Sequence, residues 1–348
     1  MNPYHSICVL RLSALGDCIN AFGLVNALQQ HDTNLDISYL IDKRFASLFI
    51  KDNGDSIVPL IPVDIKKQGL IKALWNLRKE QKEIKFDALL NLQTSIKASL
   101  LSTAIHAKDK FGYDKERRRE GQRLFINKIV KSPDNPHVLA GFMAYAKAIG
   151  IDNLEPCWDY DLSDDEMATA SALLPDGKIF CIAPASAKKV KNWTVEGYSA
   201  IAQYAINKGF KVVLLGSNSS VEQYLCSEIV KSIDGNCTNL CGKTNLRTLA
   251  AVIKLSKLVL SPDSAAMHLA SSLNIPVIGL FAIHNPKRVG AWNFKDLEVS
   301  VYEKMAKQEL GDKEITWRYR VKNENAMKEI TVESVISMFD KAVTKYKI

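Results

Sequence analysis

An apolar run at residues 7–10 is followed by a turn of small residues, Ser13-Ala14-Leu15-Gly16-Asp17. A helical pattern at 19–29 and a second apolar run at 35–41 come next. Strand, tight turn, helix and strand in that order make the βαβ unit of a parallel sheet. Further strands are expected at 57–60 and 88–92. A helix is expected at 70–82, where Leu70, Ala73, Leu74 and Leu77 recur at helical spacing. The same succession restarts at 179–183, with strands at 211–215, 258–261 and 277–281. Helices lie between them at 195–208, 246–254 and 265–273, and a last one spans 332–346. This double succession predicts an α/β chain of two Rossmann-like domains facing across a cleft, with ligand groups at the C-terminal ends of the strands.

The length, 348 residues, suits two domains of roughly 150 residues each. Ser163 and Glu166 have the spacing of a capping box, opening a helix that Pro175-Asp176-Gly177 stops. The expected division is residues 1–170, then 176–330, with a helix at 331–348 packing back on the first domain. No window approaches 18 uncharged apolar residues, and the first residues read as a strand and not as a signal peptide. Lys and Arg number 46 against 38 Asp and Glu, a balance of +8. That charge fits an acidic substrate, an anionic membrane surface or nucleic acid, and does not choose among them. Seven cysteines, with no CxxC and several inside apolar runs, suggest a reducing compartment.

Four places could carry chemistry. Asp17 stands at a helix start after the first strand and reads either as an N-cap or as a general base for an acceptor hydroxyl. Ser261-Pro262-Asp263-Ser264-Ala265-Ala266-Met267-His268 joins a strand to a helix. Its small side chains would expose backbone N–H groups to a diphosphate, and His268 is either a core or a cleft residue. Ser186 and the lysines up to Lys191 follow the strand at 179–183, where they are either a solvated loop or cations for a departing diphosphate. Glu222 opens a helix, where it favours the helix dipole or accepts from ribose hydroxyls. Lys66, Lys67, Lys97, Arg117, Arg118, Arg119 and Arg123 add positive charge in the first half.

Taken in order, these segments resemble the heptosyltransferases of glycosyltransferase family 9. The resemblance rests on R-L-S-A-L-G-D (11–17), K-N-W (191–193), Glu222 after L-L-G-S, L-C-G-K-T (240–244) and S-P-D-S-A-A-M-H-L-A (261–270). Phe111-Gly112-Tyr113-Asp114 and Arg119-Glu120 add to it. It implies a GT-B fold and inverting transfer of heptose from ADP-heptose to the Kdo and inner-core region of lipopolysaccharide, without cofactor or metal. It implies Asp17 as the base. Ser186, Lys191, Glu222, Asp263, Ser264, Ala265 and His268 would hold the donor, and Lys67, Lys97 and Arg119 the Kdo-lipid A acceptor. The resemblance further implies a cytoplasmic enzyme at the anionic inner-membrane surface, with transfer of the first heptose favoured over the second. The segment Phe281-Ala282-Ile283-His284-Asn285-Pro286 and the later Gly290-Ala291-Trp292 depart from the family's pattern. Rival readings are a glycosyltransferase with another donor, an inactive nucleotide-sugar-binding protein and a nicotinamide-dependent oxidoreductase. The missing GxGxxG opposes the last. Nucleic-acid binding lacks any motif context for the basic run.

Overall fold

The computed structural model describes residues 3–235 and 237–348. The chain divides into two units, residues 1–161 and 162–348. The first holds a parallel sheet of β1 (Ser6–Leu10), β2 (Asp36–Asp42), β3 (Leu60–Val63), β4 (Lys85–Asn91), β5 (His106–Tyr113) and β6 (Lys128–Val130), in the order β3-β2-β1-β4-β5-β6. The second holds β7 (Lys178–Ile182), β8 (Phe210–Leu214), β9 (Cys237–Asn239), β10 (Leu258–Pro262), β11 (Val277–Phe281) and β12 (Glu298–Ser300), in the order β12-β11-β10-β7-β8-β9. Counted from its own first strand, each sheet has the doubly wound order 3-2-1-4-5-6. Its topological switch point, where ligands bind in such sheets, therefore lies between β1 and β4 in one unit and between β7 and β10 in the other.

Helices cover both faces, so the central strands are apolar throughout. All five residues of β10 and of β11 are buried. The helix Leu15–His31 is buried along most of its length through Cys18, Ile19, Phe22 and Val25. The third strand falls a few residues later than its apolar run suggested. Ile57 donates to the Phe49 carbonyl and Lys51 to that of Asp55, so a tight turn takes up the start of the run. Strands β5, β6, β9 and β12 had no expectation in the sequence. In β5, Lys108, Asp109 and Lys110 break the apolar pattern, because the first half of that strand is only partly covered.

The helix Asp164–Ala172 lies with the second unit and not with the first. Ser163 and Glu166 form the expected capping box. Glu166 also pairs with Arg247 of the helix Leu246–Leu255, both side chains being 4% exposed. The helix Val332–Tyr346, expected to pack back on the first domain, spends its apolar face within the second unit. Phe339 meets Phe180 and Phe210 edge-on at 5.2 Å each, and Lys345 pairs with Asp296 at 2.8 Å. Cys8, Cys18, Cys181, Cys226 and Cys241 are buried, Cys157 and Cys237 partly so, and all seven are free thiols.

Candidate active site

In the first unit the switch point is built by the loops leaving β1 and β4. Arg11 ends the β1 run and Asp17 lies in the first turn of the following helix; their side chains pair at 2.5 Å. Arg11 also donates to the Leu92 carbonyl at 2.7 Å, and its guanidinium lies 5.4 Å from the centre of the Phe142 ring. Burial works against the Arg11 charge, but the Asp17 carboxylate together with Tyr113 and Cys18 outweighs it, and the guanidinium is held above its ordinary value. Gln93, leaving β4, accepts from the Leu12 N–H at 2.8 Å and so fixes the β1 turn to the β4 exit. Asp17 remains 32% exposed, against 14% for Arg11, so the carboxylate is fixed by its partner and still open to a ligand.

The expected acceptor residues lie on the same C-terminal edge. Lys67 sits in the short helix Ile65–Gln68 after β3, Lys97 in the helix Ile96–Leu101 after β4, and Arg119 in the turn after β5. All three are exposed. Glu120 accepts from the Ile96 N–H at 2.8 Å, which brings the Arg119 turn against the helix bearing Lys97. Among the described residues nothing comparable ties Lys67 to either. Arg117 departs from the expectation of a basic surface: it is buried and donates to the carbonyls of His137 and Asn135. Arg123 likewise donates to the Ile126 carbonyl. Gly112 and Asp114, read as family pieces, prove architectural. A Cβ on Gly112 would lie 2.7 Å from the Ile126 side chain, and Asp114 ties down Ser132 through its N–H and its hydroxyl.

In the second unit the switch point is occupied by a charged cluster. Asp263 follows β10. Its carboxylate meets Lys191 Nζ at 3.1 Å and His284 Nδ1 at 2.5 Å, and its carbonyl accepts from the same lysine at 2.5 Å. His268, one turn into the helix Ala265–Ser272, stands 3.9 Å from the other carboxylate oxygen. Burial would raise the Asp263 carboxyl. The nearby His268 and the hydrogen-bonded His284, with the Lys191 charge, more than reverse this and hold it well below the usual carboxylate range. Ser264 caps the helix Ala265–Ser272 without a side-chain cap bond. Its hydroxyl instead meets that of Ser261 at 2.7 Å. Ser186, after β7, donates its N–H to Asn192 and so shapes the loop that carries Lys191.

Glu222 lies one strand away, after β8. Its carboxylate accepts from the N–H and the hydroxyl of Ser217 at 2.5 and 2.9 Å. Gly216 makes room: a Cβ there would stand 2.7 Å from Cys241 Sγ and 3.1 Å from the Glu222 carboxylate. Sequence reasoning therefore placed Lys191, Asp263, Ser264, Ala265 and His268 in one cluster and Glu222 beside it. It missed three residues. Arg11 was visible within R-L-S-A-L-G-D but had no role. His284 belongs to the segment that departs from the family pattern, and it closes on Asp263. Arg320 lies beyond the recognised motifs; its backbone bridges to His284, and its charge is the main cause that lowers the nearby Lys188 ammonium.

Two doubly wound units, a carboxylate at one switch point and a lysine-histidine-carboxylate cluster at the other, define the class of nucleotide-dependent transferases built on paired Rossmann-like folds. The chain belongs to glycosyltransferase family 9 (heptosyltransferase), whose family model matches residues 74–344. It is 40% identical over 343 residues to the lipopolysaccharide core heptosyltransferase OpsX of Haemophilus influenzae, covering 97% of this chain and 96% of that protein. It is 23% identical over 288 residues to lipopolysaccharide heptosyltransferase 1 of Campylobacter coli, covering 79% and 83% of the two chains. The fold matches a glycosyl transferase family 9 structure from Veillonella parvula with a TM-score of 0.79 at 21% identity, over 99% and 98% of the chains. It matches E. coli heptosyltransferase WaaC with ADP at 0.72 and 18% identity, over 97% and 99%. The GT-B fold class expected from the sequence is therefore the observed one.

Proposed function

We propose that this heptosyltransferase moves L-glycero-D-manno-heptose from ADP-heptose to the Kdo and inner-core region of lipopolysaccharide, with inversion at the anomeric carbon. Asp17 takes the proton of the acceptor hydroxyl. The oxygen attacks the anomeric carbon from the face opposite the nucleotide, and the bond from that carbon to the diphosphate oxygen breaks. Its electron pair leaves with ADP. Lys191 and the N–H groups at Ser264 and Ala265 receive the growing negative charge. Glu222 accepts from the ribose, and His268 lies within the donor site. The observation that carries this reading is the Lys191–Asp263–His284 cluster at the second switch point, where a doubly wound sheet places a nucleotide's phosphates.

Lys67, Lys97 and Arg119 supply exposed positive charge on the edge that carries Asp17, matched to the carboxylate of Kdo and the phosphates of lipid A. Such an acceptor is membrane-held, and the enzyme works on the cytoplasmic face of the inner membrane. No helix among the described residues is long and apolar enough to cross a membrane. The test is transfer itself. The purified chain is given ADP-heptose, UDP-sugars and GDP-sugars in turn, with a Kdo-terminated acceptor. ADP release with formation of a heptosyl-Kdo product is expected from ADP-heptose alone. Equal transfer from another nucleotide sugar would overturn the donor assignment. Donor binding without any transfer would leave a nucleotide-sugar-binding protein.

A further inference from the structure

The helix Leu70–Glu80 carries two apolar faces where its packing needs one. Ala73 and Leu77 are buried, with Leu70 and Leu74 packed beside them, against Ala98, Leu101 and Ile105. That face alone accounts for the docking of the helix on its sheet. Ile71 and Trp75 lie one turn apart on the other face, 86% and 63% exposed. Large apolar side chains so fully in water, paired on one helical turn, mark a contact surface.

The surroundings of this pair carry a net positive charge. Between residues 64 and 83 the chain has six basic residues, Lys66, Lys67, Lys72, Arg78, Lys79 and Lys82, against three acidic, Asp64, Glu80 and Glu83, and Lys82 pairs with Glu83. Lys66, Lys67, Lys72 and Lys79 form no salt bridge among the described residues, and Lys79 Nζ stands 5.7 Å from the centre of the Trp75 ring. An indole and a branched aliphatic chain on a helix that also carries the unpaired Lys72 and Lys79 match the boundary between lipid headgroups and acyl chains. A protein partner would need carboxylates to answer each lysine, whereas an anionic bilayer supplies negative charge everywhere. The helix begins at the exit of β3, on the edge of the sheet that carries Asp17.

We propose that this helix seats the chain on an anionic lipid bilayer, with Ile71 and Trp75 inserted below the headgroups and the surrounding lysines on lipid phosphates. The inference rests on the reading of a membrane-held acceptor and adds the surface that meets the membrane. It makes the bilayer a partner in its own right, bound without acceptor or nucleotide.

The test uses the full chain and extruded vesicles of phosphatidylethanolamine and phosphatidylglycerol, with phosphatidylcholine vesicles as the second arm and no acceptor in either. Wild type is expected to pellet with the anionic vesicles and not with the neutral ones. The double substitution Ile71→Ser and Trp75→Ser should weaken that partition by at least about tenfold. Lys72→Gln with Lys79→Gln should weaken it less and flatten its dependence on salt. Both variants should keep the wild-type thermal shift with ADP and wild-type turnover on a short water-soluble Kdo glycoside. Wild type that stays in the supernatant, or that binds both vesicles equally, overturns the proposal. So does a serine variant that pellets like wild type. A wild-type dimer that the serine variant converts to monomer in sedimentation velocity would assign the face to self-association instead. Failure of the catalytic reading shows separately, as absent turnover of wild type on the glycoside whatever the vesicles do.

Discussion

At the scale of single residues, each switch point holds a carboxylate fixed by a cation, and the two carboxylates do opposite work. Asp17 is paired yet open, as the base role proposed for it requires. Asp17→Asn should lower kcat by roughly 10² to 10⁴-fold while ADP affinity, measured by calorimetry, stays within a few-fold. A variant keeping a tenth of wild-type turnover would sink the role. Asp263 is enclosed, and it holds Lys191 in place. Lys191→Ala should reduce donor affinity and kcat together, since its charge matters more as the diphosphate departs; unchanged kcat/KM for the donor would refute this. The Asp263 carboxyl is depressed in the folded chain, so on acidification the unfolded chain takes up its proton first. Its stabilisation is complete above about pH 4 and is lost as the pH falls towards the lower folded value. Thermal melts should show Asp263→Asn with a shallower loss of stability over that acid range than wild type. Asp17 and Asp263 were legible as positions because each stands where a strand gives way to a helix, and Lys191 because it ends the loop that follows β7. Arg11 and His284 were not, because their roles appear only once parallel pairing brings the β4 exit beside β1 and the β11 exit beside β10.

At the scale of elements, long periodic segments were readable and short edge strands were not. The helices at 195–207 and 332–346 stand almost where the sequence put them, and Thr194 and Thr331 cap them. Strand β12 is three residues long, and only the sheet it joins makes it a strand. It brings Glu298 into a half-buried position, where burial raises the carboxyl to about 7 despite the nearby Lys295. This group is raised in the folded chain, so the folded form holds the proton between about 4.5 and 7 and the unfolded form does not. Stability should therefore fall as the pH rises through that window and level off above it. Glu298→Gln should remove the slope, leaving the variant the more stable at pH 8 by something on the order of 1 to 3 kcal/mol. Parallel denaturant titrations at pH 5 and 8 measure it, and an unchanged slope would show that the carboxyl is solvated.

At the scale of the whole molecule, the sequence placed the change of unit near residue 175, and the packing places it near 161. The Pro175-Asp176-Gly177 stop is a true helix end, but the helix before it joins the second unit through the pairing of Glu166 with Arg247. A fragment of residues 162–348 should fold and bind ADP. A fragment of 176–348 should not, because removing one partner of a buried ion pair costs roughly 3 to 5 kcal/mol. Circular dichroism and calorimetry on the two fragments decide it, and equal folding of both would place the boundary back at the proline. The placement of sulfur reaches beyond the native protein. Burial is the leading influence on all seven thiols and raises every one, Cys18 and Cys181 to about 12 and Cys237 to about 11. Thiolate, the form that maleimides attack, is therefore scarce at neutral pH. For a spectroscopist the wild-type chain should label slowly with maleimide at neutral pH, so a dye pair at two engineered surface cysteines should face little competition from the native ones.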